Sequence, residues 1–199
     1  MDLELFFDFA STYSYPAVMT AEQAAAQQGL RIALRPILLG PIFAAQGYTQ
    51  PPFLQYSVKG AYTWRDLERV CADLSLPWRK PSAFPRRSLL AARVALIGMD
   101  DGWGAEFTRR VFVLNFAEDR EIDDELNIRA LLGELGLSAD EVLARALSDD
   151  NRARLKTETA RAEQLGVFGA PTLVVAGEIF WGHDRMAQAL RWAARGRRP

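Results

Sequence analysis

Leu3-Glu4-Leu5-Phe6-Phe7-Asp8-Phe9-Ala10-Ser11-Thr12-Tyr13-Ser14-Tyr15 decides the fold. The run is short, apolar and aromatic-rich, places Leu3, Leu5, Phe7 and Phe9 on alternate positions, and breaks into small hydroxyl residues; this predicts a buried strand rather than a helix. From Tyr13 to Gln28 the alanines Ala17, Ala21, Ala24, Ala25 and Ala26 predict a helix. Ser11 then stands at the carboxyl end of the strand, where it or Thr12 can cap that helix. The free amides and dipole of such a helix end stabilise a nearby anion, a thiolate included, by roughly 0.3–2 kcal/mol.

Beyond Gly29, residues 30–36 alternate and read as a second strand, parallel to the first because a right-handed crossover joins them. The pattern changes from Ile37. Turn residues crowd 39–52, and helices are expected over 56–74, 85–99, 104–115, 123–135 and 138–147, with caps at Ser138-x-x-Glu141 and at Asp149-Asp150. A helix over 151–165 ends at Gly166. Residues 170–175 and 178–181, on either side of Gly177, read as a hairpin, and a last helix runs from about 184 to 194.

The 199 residues, 49% of them hydrophobic, suffice for a sizeable core. A net charge of -1, with basic residues scattered, excludes the electrostatic footprint of a nucleic-acid binder. No apolar stretch reaches the length of a membrane span, and an N-terminus carrying Asp2 and Glu4 lacks the basic region of a signal peptide, so the cytoplasm is the expected location. The single cysteine, Cys71, excludes an internal disulfide, and with one histidine, His183, no Cys/His metal site can be assembled. Cys71 shares an apolar stripe with Leu67, Val70 and Leu74 and reads as a small buried hydrophobe. Thiol chemistry therefore needs sulfur from elsewhere.

Four ordered motifs carry a resemblance over nearly the whole chain: Phe7 to Tyr15; Gly47-Tyr48-Thr49-Gln50-Pro51-Pro52; Lys59-Gly60-Ala61-Tyr62-Thr63-Trp64-Arg65-Asp66-Leu67; and Gly166-Val167-Phe168-Gly169-Ala170-Pro171-Thr172 with Phe180-Trp181-Gly182-His183-Asp184-Arg185-Met186. Together they resemble the kappa-class glutathione transferase and 2-hydroxychromene-2-carboxylate isomerase family of the DsbA-like thioredoxin superfamily. The resemblance implies an α/β, thioredoxin-like fold with a large all-helical insertion, the core formed by residues 1–37 and 151–199 and the insertion by 38–150.

It also implies glutathione as cofactor. Ser11 and Ser14 take the two positions that cysteines hold in thioredoxin-like oxidoreductases, so Ser11 is the expected catalytic residue, donating to the glutathione thiolate. Its plain alternative is a helix cap. The resemblance further assigns Ala170, Pro171, His183, Asp184 and Lys59 to cofactor binding, with Ala170-Pro171 cis and its backbone facing Ser11. Tyr48, Tyr62, Trp64 and Arg65 are the expected contacts of an aromatic carboxylate substrate, and Trp64, Trp181, Phe43 and Tyr48 its aromatic wall, although a lone helical lysine is usually a solvated charge and such rings are usually core. Two positions depart from the family pattern: Tyr48 stands for a common Asn, and Thr12 for a common Pro. The expected activity is glutathione-dependent cis-trans isomerisation in aromatic-compound catabolism. A kappa-like transferase or peroxidase and a glutathione-binding protein without turnover stay open beside it, as does a homodimer; no metal is expected.

Overall fold

A computed structural model describes residues 3–50 and 52–196. Strand β1 (Leu3–Phe7) is fully buried and runs beside β2 (Ala33–Pro36), parallel, and β3 (Thr172–Val175), antiparallel; β4 (Glu178–Trp181) pairs antiparallel with β3, giving the order β2-β1-β3-β4. A strand covered on both faces needs apolar residues at nearly every position, hence its near-continuous apolar run. Alternation still divides its side chains. Leu3, Leu5 and Phe7 enter the larger core, while Phe6 packs with Ile37, Ile42 and Val174 on the opposite face. Glu4, the one charge in the strand, is buried there between Arg35, at 2.7 Å, and Arg161.

Helix α1 (Ser14–Ala26) follows β1 directly. Between β2 and β3 lie α2 (Leu39–Ala45), α3 (Pro52–Gln55), α4 (Ser57–Asp73), α5 (Leu89–Asp101), α6 (Gly104–Phe116), α7 (Glu125–Glu134), α8 (Ala139–Ala146) and α9 (Asp149–Gln164). A 3-10 turn (His183–Arg185) and α10 (Met186–Arg195) close the chain. Every strand among the described residues thus falls outside 38–150, as expected of a helical insertion. The insertion does not have a core of its own: Leu5 and Phe7 of β1, Tyr15 of α1 and Phe107, Phe112 and Phe116 of α6 belong to one continuous buried cluster. Phe112 joins the parts, its ring 5.9 Å from Phe7, 5.0 Å from Phe9 and 6.3 Å from Phe116.

The hairpin β3–β4 turns through Ala176 (φ 50°) and Gly177 (φ 86°), two successive left-handed residues whose twist matches that of the flanking strands. Several expected boundaries move. The second strand is confined to Ala33–Pro36, because Leu30 N–H closes α1 by bonding the Ala25 carbonyl. The helix expected from Pro85 starts only at Leu89, since Arg86 turns inward to a buried polar partner and Ser88 to another. α2 and α3 occupy the stretch read as turns. The Ser138 hydroxyl makes no capping bond, and α9 is capped by Ser148, leaving Asp149 and Asp150 in its first turn. At α9 an adjacent residue, Ser148, takes the cap from the local signal at Asp149-Asp150.

Candidate active site

The turn between β1 and α1 brings Ser11 against the segment leading into β3. Its Oγ lies 2.8 Å from the carbonyl oxygen of Ala170, and since a carbonyl only accepts, the serine donates. The Ala170-Pro171 peptide is cis, and Gly182 N–H bonds the Pro171 carbonyl at 2.9 Å, so β4's end, the Pro171 turn and Ser11 are tied in sequence. Ser11 does not cap α1. The cap position is Tyr13, no side chain bonds the helix start, and Pro16 contributes no N–H in the first turn. Thr12 does not cap it either. The expected cap is corrected for a physical reason: the helix begins only at Ser14, so Tyr13 takes the cap position and Ser11 lies two residues before it. Ser14, the second of the paired serines, is wholly buried with its hydroxyl unpartnered.

Tyr13 organises the other side of the turn. Its ring stacks on His183, centroids 5.1 Å apart and planes within 5°, and its hydroxyl donates to Asp66 of α4 at 2.7 Å. Burial pushes the Asp66 carboxyl up, but bonds from Tyr13 and Arg69 outweigh it and hold the group below its usual range. Burial, then the bond to Asp66, raises the Tyr13 phenol far above its usual value, so it stays protonated. Desolvation lowers His183, against the weaker pull of Asp184 and Asp66. Asp184 stands in the 3-10 turn, half-exposed, 3.4 Å from Arg185. Its Oδ1 folds over Gly182, where a Cβ would meet it at 2.4 Å; with φ at 108° as well, that position requires glycine.

α4 crosses the site through Asp66. Tyr62, whose hydroxyl lies 3.4 Å from Asp66, and Lys59, seven residues before Asp66 and about 10 Å along the axis, share that helix face. Arg65 is not brought to the site: it pairs with Glu68 at 2.5 Å in solvent. Trp64 also points elsewhere, packing with Phe53, Phe84 and Trp78 and taking Lys80 over its ring. The expected aromatic wall divides into three ring groups, with Tyr48 against Phe43, Trp181 against Phe168, and Trp64 in its own cluster. The first two are linked, because Gln46 at the end of α2 donates to the Phe168 carbonyl at 3.0 Å. Tyr48, Phe168 and Trp181 are exposed and form a rim beside the Ala170 segment.

Two cavities of about 250 and 450 Å³, one between β2, α5 and α9 and one around Glu4, Arg31 and Arg161, lie elsewhere, and neither is lined by Ser11. Cys71 is buried and its thiol pushed up to about 11 by desolvation, which leaves it inert. Sequence reading missed Asp8, Tyr13 and Asp66. The signal for Asp8 was a carboxylate closing an apolar strand; Asp66 offered none, being one acid on a charged helix.

Comparison with known proteins agrees with this fold. The DSBA-like thioredoxin domain family matches residues 2–191. The chain is 28% identical over 184 residues to a 2-hydroxychromene-2-carboxylate isomerase of Sphingobium xenophagum, covering 92% of this chain and 93% of that one. It is 25% identical over 198 residues to glutathione S-transferase kappa 1 of Rattus norvegicus, covering 92% and 87%. A solved structure of a 2-hydroxychromene-2-carboxylate isomerase superposes with a TM-score of 0.87 at 26% identity, over 99% of this chain and 95% of the other. With strand order, helical insertion and a match to all but the last few residues in agreement, the chain belongs to the DSBA-like thioredoxin domain family.

Proposed function

We propose that this protein is a glutathione-dependent isomerase acting on a 2-hydroxychromene-2-carboxylate-like aromatic carboxylate. The observation that carries the reading is the Ser11 hydroxyl, 2.8 Å from the Ala170 carbonyl at a helix start that no side chain caps, where the resemblance puts serines in the two positions that cysteines hold in thioredoxin-like oxidoreductases. The donor set suits glutathione. A helix end that no side chain caps and a buried hydroxyl favour a thiolate, and the buried Ser14 hydroxyl has no protein partner. Asp184 and the amides of the 3-10 turn suit an ammonium and a carboxylate of the γ-glutamyl arm.

Bound glutathione supplies a sulfur nucleophile that adds to an activated double bond and leaves again, so that it is regenerated. The protein's part is modest. Ser11 exchanges a carbonyl acceptor for an anionic one, a bond roughly twice as strong, and the freed Ala170 carbonyl becomes available to an amide of the ligand. Tyr48, Phe168 and Trp181 offer faces for an aromatic ring, and Lys59 a counter-charge for its carboxylate. Lowered by burial, His183 is largely neutral near neutral pH and leaves the anionic ligand to Asp184's neighbouring amides.

The likeness to glutathione S-transferase kappa 1 supports a second reading, in which glutathione is consumed. Turnover of 2-hydroxychromene-2-carboxylate with glutathione, followed by ultraviolet absorbance together with total free thiol, separates them. Isomerisation that requires glutathione and leaves free thiol constant is the expected result. Falling thiol favours the transferase, and absence of any glutathione affinity overturns both readings.

A further inference from the structure

The peptide from Asp8 to Ser11 belongs to no helix or strand, yet three hydrogen bonds hold four of its backbone groups. Ser11 N–H bonds the Asp8 carbonyl at 2.9 Å, Ala10 N–H bonds Asp8 Oδ1 at 2.8 Å, and the Phe9 carbonyl accepts from Asn115 Nδ2 at 3.1 Å. The last two of these bonds are anchored in the insertion. Asp8, 4% exposed, also accepts from Ser88 Oγ at 2.9 Å and, through Oδ2, from Leu39 N–H at 2.7 Å. Asn115, wholly buried on α6, accepts at Oδ1 from Arg86 Nη1 at 3.0 Å. Arg86 is itself fixed by Asp119 at 2.6 Å and Glu121 at 3.0 Å. Both struts therefore start in one short segment, 86–88, and end on adjacent residues two and three positions before the serine.

An apolar filling of the same volume would hold the fold at least as well, because a buried carboxylate without a cation carries an unrecovered desolvation cost. Among the described residues no lysine or arginine pairs with Asp8, and burial pushes its carboxyl up despite the three donors. What the polar struts add is direction: hydrogen bonds fix a peptide's orientation, whereas apolar contacts fix only its distance. We propose that Asp8 and Asn115, held from the insertion by Ser88 and Arg86, are positioning residues that aim the Ser11 hydroxyl. This rests on the function proposed for Ser11 and extends it to the insertion as the source of the turn's geometry.

The test uses the full chain with Ser88→Ala, Ser88→Thr, Asp8→Asn and Ser11→Ala. Glutathione is the probe, read out by thiolate absorbance against pH, by Kd, by kcat and KM for the isomerisation, and by Tm. In Ser88→Ala the bound thiol is expected to titrate at higher pH and kcat to fall by about tenfold, since small displacements of a catalytic group cost that much or more. KM and Kd stay within about twofold, because the γ-glutamyl arm is held elsewhere. Ser88→Thr, which keeps the hydroxyl, recovers most of the loss, and Asp8→Asn moves titration and kcat further the same way. A lower Tm with wild-type titration and kcat in Ser88→Ala overturns the positioning role; if Asp8→Asn does not fold, the Ser88 pair decides alone. An unaffected Ser11→Ala overturns the functional reading instead, so the two failures are distinct.

Discussion

One proton on the Ser11 hydroxyl serves one acceptor at a time, and in the structure that acceptor is the Ala170 carbonyl. This pairing was expected only through the family resemblance of the Gly-Ala-Pro-Thr run, since nothing local in either stretch points to a partner 159 positions away. Tyr13 and Asp66 were not legible: their bond joins residues 53 positions apart, and neither stands out among its neighbours. His183 gives a prediction at this scale. Burial outweighs Asp184 and Asp66 and holds its imidazole below the ordinary 6.5, so the unfolded chain takes up that proton more readily than the folded one. The stability His183 contributes is present above about pH 6.5 and declines as pH falls through the folded value. Calorimetry should show Tm falling more steeply between about pH 7 and pH 5 in the wild type than in His183→Phe, which keeps a ring on Tyr13. Parallel curves would contradict the shift.

At the scale of elements, the strand β1, the hairpin and most helices follow from periods of two and 3.6, because each buries one apolar face. Helix starts follow less well. Residues 85–88 look helical locally, yet they stay outside the helix and deliver Arg86 and Ser88 to buried partners. α4 is another element held by a tertiary bond, Tyr13 to Asp66. Tyr13→Phe removes that hydroxyl while Arg69 and Tyr62 still serve Asp66, so a loss of about 1 kcal/mol is expected in urea unfolding. Amide exchange should accelerate in α4 and leave β1 and β3 unchanged. Uniform acceleration, or none, would mean that the bond does not tether the helix.

For the whole molecule, a thioredoxin-like core with a helical insertion suggests two cooperative units, but the aromatic cluster argues for one. Phe112 of α6 touches Phe7 and Phe9 at the end of β1 as closely as it touches Phe116 on its own helix. Phe112→Ala is expected to cost about 3–5 kcal/mol and to lower the stability of sheet and insertion together. Far-ultraviolet dichroism and tryptophan fluorescence should report coincident transitions in the wild type and in this variant. Fluorescence weights the insertion, where Trp64, Trp78 and Trp103 reside, so a separate early fluorescence transition would show that the insertion unfolds by itself.

The central claim is that Ser11 stabilises a glutathione thiolate, and the pH titration of thiolate absorbance in the glutathione complex tests it most directly, comparing wild type with Ser11→Ala. A charge-assisted bond worth roughly 1.5–3 kcal/mol corresponds to about one to two pKa units on sulfur. The account predicts that the mutant complex titrates higher by that amount, with glutathione affinity reduced only modestly and the fold intact. The same titration midpoint in both proteins would contradict it.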